Sequence, residues 1–469
     1  MTRVDLMALM PLIILGGGSV LVLLAGGLRP GGYLYETALA LTAGALVWSA
    51  ALPQEAALQG VAVNAFSRTM SVFVCASGLV GLLLAMGYNR RRGIVGEEYP
   101  ATLLFALAGM WAVCASADLL MLFLGLEAFT FAFYILVAIK RGASRGGEAG
   151  LKYLLNGTLS AAVLAMGIAL IYAATGTFSL KALPAIPSAL PDGPLYQAGV
   201  ALLIIGLAFK LSLAPAHLWT PDVYQGAPAP VTALLSTASK GVSIVAVLLV
   251  MPLAGRWAGT HDLFWGLALM SVICGNLAAL LQGSIKRMLA WSSVAQMGYV
   301  ALGFTAVSSG GGQAALFYAV AYAAAGLASF GAVAALSGTG ERDRLEDYRG
   351  LGYRHPLAGA ALAVSMFSLA GIPPTAGFMG KFAVFSAALR GGDYGLAVVA
   401  ILTAVVAVYY YLRVVVMLYM QPEGKAGGAE MALTSAEAVA LSVTTLVTIW
   451  LGLFPGQLLD LLGRLLSIR

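Results

Sequence analysis

Charge is scarce in this chain. Of its 469 residues only 10% are Asp, Glu, Lys or Arg, against about a quarter in an ordinary soluble domain, which excludes a water-facing globule. Cysteine is nearly absent too. Cys75, Cys114 and Cys274 lie far apart in apolar stretches without C-x-x-C spacing, so no disulfide framework, iron–sulfur cluster or zinc site can be built from them. The three histidines, His217, His261 and His355, are equally scattered. No G-x-G-x-x-G joins a strand to a helix, and Gly380-Lys381 lacks both the upstream glycine and the following Ser or Thr of a Walker A loop. The chain is therefore expected to bind no redox cofactor, metal or nucleotide of its own. A net charge of +6 does not indicate nucleic acid, because most basic residues fall between apolar runs, where they set membrane orientation.

Those runs fill most of the chain, which is 60% hydrophobic with a mean hydropathy of +0.91. Windows of about 20 apolar residues recur from end to end, as in a polytopic helical membrane protein. Fourteen spans are expected, at 6–26, 32–52, 66–88, 100–116, 119–139, 150–174, 195–219, 229–252, 262–282, 289–308, 313–337, 358–388, 393–420 and 434–455. The first is too long for a signal-peptide core and has no small-x-small cleavage site, so it reads as a helix of the mature protein. An even number puts both termini on one side. Loops such as Arg90-Arg91-Arg92, Lys140-Arg141, Lys286-Arg287 and Arg342 to Arg354 hold about twice the basic residues of the opposite loops, so both termini are expected outside.

Proline interrupts spans 7 and 12. One reads Leu211-Ser212-Leu213-Ala214-Pro215 and the other Ser368-Leu369-Ala370-Gly371-Ile372-Pro373-Pro374, their Ser-Leu-Ala cores 156 residues apart. Each is fourth of five in spans 4–8 and 9–13, and an odd number of spans per unit makes two such units inverted copies. Broken helices at matching places in inverted repeats mark a transport site. The expected organisation is helices 1–3 within residues 1–97, units at 98–252 and 262–420, and a last helix within 434–469. Pro215 cannot bond the carbonyl of Leu211, and Pro373 and Pro374 free those of Leu369 and Ala370. Such carbonyls are expected to lie beside Lys210 and near Lys381. Open backbone at this depth survives only inside protein or against a wet cavity.

Four ionisable residues stand deep in apolar surroundings: Glu127, Lys210, Lys240 and Lys381. Each costs roughly 2.5 to 3.5 kcal/mol by insertion scales and so marks an ion or proton path. Glu127, eight residues past Leu119, lies about 12 Å along its helix. Glu127 and Lys210 form a candidate ion pair, either a structural lock or a switch, and lysine suits a switch because burial readily alters its proton affinity. Lys240 has no acidic neighbour in sequence and reads as a proton carrier, as does Lys381. Lys152 starts its span and is either an interfacial anchor or a functional group. His217 is either a relay between Lys210 and Lys240 or a satisfied core histidine. Thr220-Pro221 is expected to cap and open a new helical piece, with Asp222 as a helix-start carboxylate. Lys286 and Arg287 are assigned to an inner loop that sets topology, with a role at the channel mouth as the alternative, and Tyr409, Tyr410 and Tyr411 to packing or an interfacial belt.

These segments resemble the antiporter-like membrane subunits of respiratory complex I. The motifs are Phe209-Lys210-Leu211-Ser212-Leu213-Ala214-Pro215 with His217-Leu218-Trp219-Thr220-Pro221-Asp222, Ile285-Lys286-Arg287 with Trp291-Ser292-Ser293, and Ser368 to Pro374 with Gly377-Phe378 and Gly380-Lys381-Phe382. The resemblance runs from about residue 98 to 420; the outer spans match in hydropathy alone. It implies an all-α polytopic fold of fourteen helices, with inverted five-helix repeats at helices 4–8 and 9–13 and helices 7 and 12 discontinuous. It also implies proton translocation by Glu127, Lys210, Lys240 and Lys381. Lysine rather than glutamate at 381 favours the subunit N branch over subunit M, and the chain lacks the lateral-helix extension of subunit L. Many relatives carry histidine where this chain has Gln296, and glutamine cannot take up a proton.

The implied role is a subunit of a proton-translocating NADH:quinone oxidoreductase in a bacterial inner membrane. NADH, FMN, iron–sulfur clusters and quinone would be held by partner subunits. The implied partners are sister antiporter-like subunits, small membrane subunits, the lipid bilayer and protons. The competing roles are a subunit of a multisubunit cation/proton antiporter, of a related hydrogenase or other-donor complex, or a non-pumping scaffold.

Overall fold

Inside a bilayer each backbone amide must find its partner within the protein, which leaves helices as the economical solution for an apolar chain. The computed structural model describes residues 3–29, 31–51, 55–183, 193–338, 340–422 and 433–467, and helices account for about four fifths of them. The N-terminal group holds α1 (Arg3–Ala8), α2 (Met10–Leu28), α3 (Tyr33–Ala51), a small antiparallel hairpin of β1 (Ala56–Leu58) and β2 (Val61–Val63), and α4 (Ala65–Arg92). Next come α5 (Glu98–Cys114), α6 (Leu119–Val137), α7 (Ser144–Thr175), the broken pair α8 (Pro194–Leu211) and α9 (Thr220–Gly226), then α10 (Ala229–Ser236) and α11 (Ala238–Ala254). They are followed by α12 (Gly259–Leu280), α13 (Ile285–Thr305), α14 (Gly311–Leu336), the short α15 (Leu351–Arg354), the second broken pair α16 (Pro356–Ala370) and α17 (Ala376–Gly391), and α18 (Tyr394–Tyr419). The chain closes with α19 (Ser435–Leu453) and α20 (Gly456–Ser467).

Eleven segments, counting α10 and α11 as one, are long and apolar enough to cross a membrane. The shorter α5, the more polar α13 and the α16–α17 pair make up the expected fourteen. Neither the hairpin nor α20 is anticipated by the apolar windows, and three span limits move. Arg90, Arg91 and Arg92 belong to the last turn of α4, α7 begins at Ser144, and Lys286 and Arg287 stand in the first turn of α13.

Two pairs of consecutive helices pack in the same close manner. In α5–α6, a Cβ on Gly109 would meet the Phe129 nitrogen at 2.7 Å, and one on Gly125 the Val113 nitrogen at 2.8 Å. In α12–α13, one on Gly275 would meet the Ala295 nitrogen at 2.5 Å, and one on Gly298 the Val272 nitrogen at 2.9 Å. Small residues let these backbones touch, which is how membrane helices gain contact without a hydrophobic drive between them. α10–α11 and α14 are buried along almost their whole length and form the centre; α2, α3, α7, α18 and α19 keep broad apolar faces outward.

Both broken helices end alike. Ser212 (φ 59°) and Gly371 (φ 84°) adopt the left-handed conformation, and the next amide reaches back five residues, Leu213 to Ala208 and Ile372 to Phe367. This is the Schellman termination. Ser212 and Gly371 lie 159 positions apart, as do Pro215 and Pro374. The Ser-Leu-Ala match at 156 is therefore out of register with the structural equivalence by three residues, because it pairs residues after one break with residues before the other. A third break has no proline. The eighth span, expected to be continuous, is distorted at Thr237 (φ −117°, ψ −77°). Hydroxyls of Ser236 and Thr237 bond the Ala233 carbonyl there, and Ser239 bonds that of Leu235. Such back-bonding by Ser and Thr bends helices.

Candidate functional site

All three deep lysines stand by a helix interruption. Lys210 is two residues before Ser212, Lys240 three residues after Thr237, and Lys381 in the second turn of α17 beyond the second break.

Lys210 is buried and donates to Glu127 Oε1 at 2.8 Å and to Thr130 Oγ1 at 2.9 Å, tying α8 to α6. The pair expected between helices is thus formed. Lys210 does not, however, turn toward freed carbonyls of its own helix. Trp219 Nε1 takes the Phe209 carbonyl at 3.3 Å, and the Ala214 amide past the break bonds Ser271 Oγ of α12 at 2.8 Å. An anionic partner at hydrogen-bond distance outcompetes neutral carbonyls for an ammonium.

Lys240 is wholly buried, and its Nζ donates to Ser293 Oγ at 2.7 Å over the ring of Tyr224, 5.6 Å from the centroid. Tyr322 on α14 donates to the same Ser293 hydroxyl at 2.7 Å. No carboxylate pairs with Lys240 among the described residues. One turn along α13, Gln296 donates to Tyr411 Oη at 2.9 Å and to the Leu369 carbonyl at 3.0 Å, and accepts from Tyr318. Lys381 meets that same carbonyl at 2.8 Å and the Ala370 carbonyl at 3.1 Å, above the Tyr299 ring at 5.1 Å. The carbonyls opened by the second break are therefore occupied by Lys381, as the prolines imply. Two hydrogen-bonded groups therefore stand one turn of α13 apart, Lys240 with Ser293 and Tyr322, and Lys381 with the Leu369 carbonyl and Gln296.

Tyr411 and Tyr410 are fully buried, and both work in this interior: Tyr411 also meets Ser292 Oγ at 2.5 Å, and Tyr410 donates to Asn276 Oδ1 at 2.9 Å. Tyr409 alone faces outward. Tyr318 and Tyr322 have no marking motif, and no motif gives Ser293 or Tyr411 its partners, since these come from other helices. The cluster of Ser236, Thr237, Ser239 and Ser243 around Lys240 accompanies the bend but does not by itself announce one.

His217 packs against Trp291, ring centroids 5.0 Å apart, with Nδ1 buried and unpartnered. It bonds neither lysine but lies within electrostatic reach of Lys240. Thr220 is the first residue of α9 rather than its cap, and its hydroxyl has no partner.

Lys286 and Arg287 leave their assigned loop for α13, while Lys152 and Asp222, the latter in the first turn of α9 as expected, gain partners on other helices. Lys152 bonds Glu148 at 2.7 Å and Asp222 at 2.8 Å, and Arg287 bonds Asp222 at 2.6 Å and Gln225 at 3.2 Å. Asp222 thus links α7, α9 and α13 rather than merely starting a helix. Lys286 is buried, donating to the Ala227 carbonyl at 2.6 Å and to Glu341 at 2.8 Å. A loop assignment fails for it because its ammonium is needed inside. Burial raises the Glu341 carboxyl, but Lys286, Tyr88 and Arg92 outweigh that and hold it below the usual carboxylate range. No group of three or more metal-ligating side chains occurs among the described residues.

A family model for transmembrane NADH:quinone oxidoreductase/Mrp antiporter proteins matches residues 116–407. The chain is 51% identical to NADH-quinone oxidoreductase subunit N of Geotalea uraniireducens, over 99% of this chain and 100% of that protein. It is likewise 51% identical to subunit N of Geobacter metallireducens over the same shares. Among solved structures it is similar to a chain of respiratory complex I from Thermus thermophilus with bound aureothin, at 35% identity and TM-score 0.83, covering 96% of this chain and 99% of that one. A chain of the Mrp complex from Dietzia sp. has the same fold at 24% identity and TM-score 0.86, over 100% of this chain and 97% of that one.

Proposed function

Because the chain belongs to the NADH:quinone oxidoreductase/Mrp antiporter family of membrane proteins, we propose that it is a proton-translocating subunit of the N type in an NADH-quinone oxidoreductase. It spans the membrane many times and works beside other membrane subunits. Partner subunits hold NADH, FMN, iron–sulfur clusters and quinone. The membrane is a bacterial inner membrane, with both termini on its outer side. Residues 98–252 and 262–420 act as the two inverted units. Full-length identity to subunit N proteins favours this over a cation/proton antiporter, to which the likeness is one of fold.

One observation carries the mechanism: a buried ammonium, Lys240, without a carboxylate among the described residues, bonds Ser293 one turn of α13 from Gln296, whose carbonyl partner Leu369 also holds a second buried ammonium, Lys381. An unpaired charge at this depth is costly and marks a proton path. In this mechanism Glu127 tunes Lys210, Lys240 holds the central proton, and Lys381 passes it toward the outer face. The hydroxyls of Ser293, Tyr322, Tyr318 and Tyr411 can each donate one hydrogen bond while accepting another, so they can relay a proton. Gln296 only orients Tyr318 and Tyr411. His217 and Lys152 play supporting parts, the first beside Lys240 and the second in the Asp222 network.

The test is Lys240→Ala in the whole complex reconstituted into vesicles. Assembly and quinone reduction by NADH in the presence of an uncoupler are expected to persist while quinone-coupled acidification falls at least tenfold. Acidification at the unaltered rate would remove Lys240 from the path.

A further inference from the structure

Where α4 ends, α5 begins and α6 ends, the surface opens into a cleft of about 610 Å³. Arg92, Lys140 and Arg141 line it together with Ile94, Ile135 and Ile139. It lies on the side of the molecule whose loops carry the larger share of basic residues.

The charges there do not cancel. Glu98 is the one acidic side chain lining the cleft, and Arg141 holds it at 3.0 Å. Glu341 reaches Arg92 electrostatically, but its carboxylate oxygens are taken by Lys286 and by the Tyr88 hydroxyl. Arg92 is held over the Tyr88 ring, 5.0 Å from the centroid, and its Nε and Nη2 are buried with no hydrogen-bond partner. Its neighbour Arg91 points the other way, into Glu437. Lys140 enters no ion pair among the described residues. Two cations thus face an open cleft without an anion, and a guanidinium favours the paired oxygens of a phosphate.

The ligand is also apolar. Leu124, Phe131 and Ile135 are 60%, 57% and 43% exposed. Their spacing places them on one helical face, an outward stripe of α6 that runs from the cleft into the membrane-crossing length. A free inorganic anion needs no such stripe, whereas an amphiphile needs both parts. Basic pockets between membrane helices on the Lys- and Arg-rich side take anionic lipid headgroups.

We propose that this cleft binds the phosphate headgroup of an anionic phospholipid, with Arg92 and Lys140 on the phosphate oxygens and an acyl chain along Leu124, Phe131 and Ile135.

The intact complex in its native membrane would be photolabelled with phosphatidylglycerol carrying a diazirine on one acyl chain, and the labelled peptide mapped. Labelling is expected between residues 120 and 141, displaced by unlabelled phosphatidylglycerol but not by phosphatidylcholine or inorganic phosphate. Each basic charge near an anionic lipid changes occupancy about fivefold, so Arg92→Gln with Lys140→Gln should lower labelling by more than tenfold. Lys140→Gln alone breaks no ion pair and should lower it severalfold, which keeps the test open should the double variant not assemble. Equal labelling by a phosphatidylcholine probe, displacement by inorganic phosphate, unchanged labelling of Lys140→Gln, or no labelled peptide in this region would each overturn the proposal.

Discussion

Gln296 and Lys381 donate to one oxygen, the carbonyl of Leu369, at 3.0 and 2.8 Å. The second helix break thus meets Gln296 of α13 at a single atom. A residue that cannot carry a proton holds together groups that can.

Gln296→Leu would leave the hydroxyls of Tyr318 and Tyr411 short of a partner. Each buried unsatisfied group costs about 1–3 kcal/mol, so the variant is expected to melt earlier and pump several times more slowly. Gln296→His keeps a donor and an acceptor and is expected to pump near the parental rate. Acidification of vesicles by the two variants, at matched complex content, checks this.

Glu127→Gln removes the charge facing Lys210 while keeping a hydrogen-bond acceptor. Removing one member of a buried ion pair costs about 3–5 kcal/mol; since the Glu127 side chain is 24% exposed, the lower end is expected. Pumping should fall at least severalfold. Adding Lys210→Gln should recover the melting temperature without recovering pumping. Recovery of both would make the pair a structural lock.

Gly371→Ala tests the second break. Gly371 is left-handed (φ 84°), and its added Cβ would lie 3.1 Å from Lys381 Cδ. The backbone cost is about 1–2 kcal/mol, and the Lys381 stem must also move. Pumping should drop more than stability does. Ser212→Gly, at the matching left-handed position (φ 59°) of the first break, should leave both nearly unchanged. Paired thermal unfolding and acidification measurements separate the two outcomes.

Arg91 holds fully buried Glu437 by two hydrogen bonds, 2.9 and 2.5 Å, and so clamps α4 to α19. Glu437 also closes the N-terminal cap of α19 with Thr434. Arg91→Met alone strands a buried carboxylate and should cost about 3–5 kcal/mol, whereas Arg91→Met with Glu437→Met should return most of it. Detergent-induced loss of the chain from the complex, followed with time, reads this out. Equal loss for single and double variants would show that the clamp adds nothing.

The crossing segments were legible because length and apolarity answer to bilayer thickness alone. The two proline breaks were legible because proline lacks an amide hydrogen wherever it stands. The break at Thr237 was not. Its cause is competition between side-chain hydroxyls and the helix ladder, which many serines and threonines in helices never win. The two breaks were matched three residues out of register, since three shared residues carry less weight than where each helix terminates.

Depth in an apolar run marked Glu127, Lys210, Lys240 and Lys381 in the sequence itself, because desolvation penalises a charge whatever surrounds it. That penalty demands a partner without naming one. Ser293 lies 53 positions from Lys240, Glu127 lies 83 from Lys210, and Leu369 lies 73 from Gln296. Only the arrangement of the bundle, which sets α6 opposite α8, α11 opposite α13 and α13 opposite α16, turns those side chains toward one another. The same packing drew Lys286 out of its expected loop and turned Tyr410 and Tyr411 inward. Chain chemistry determined which residues must be satisfied, and helix rotation within the bundle decided by which atoms.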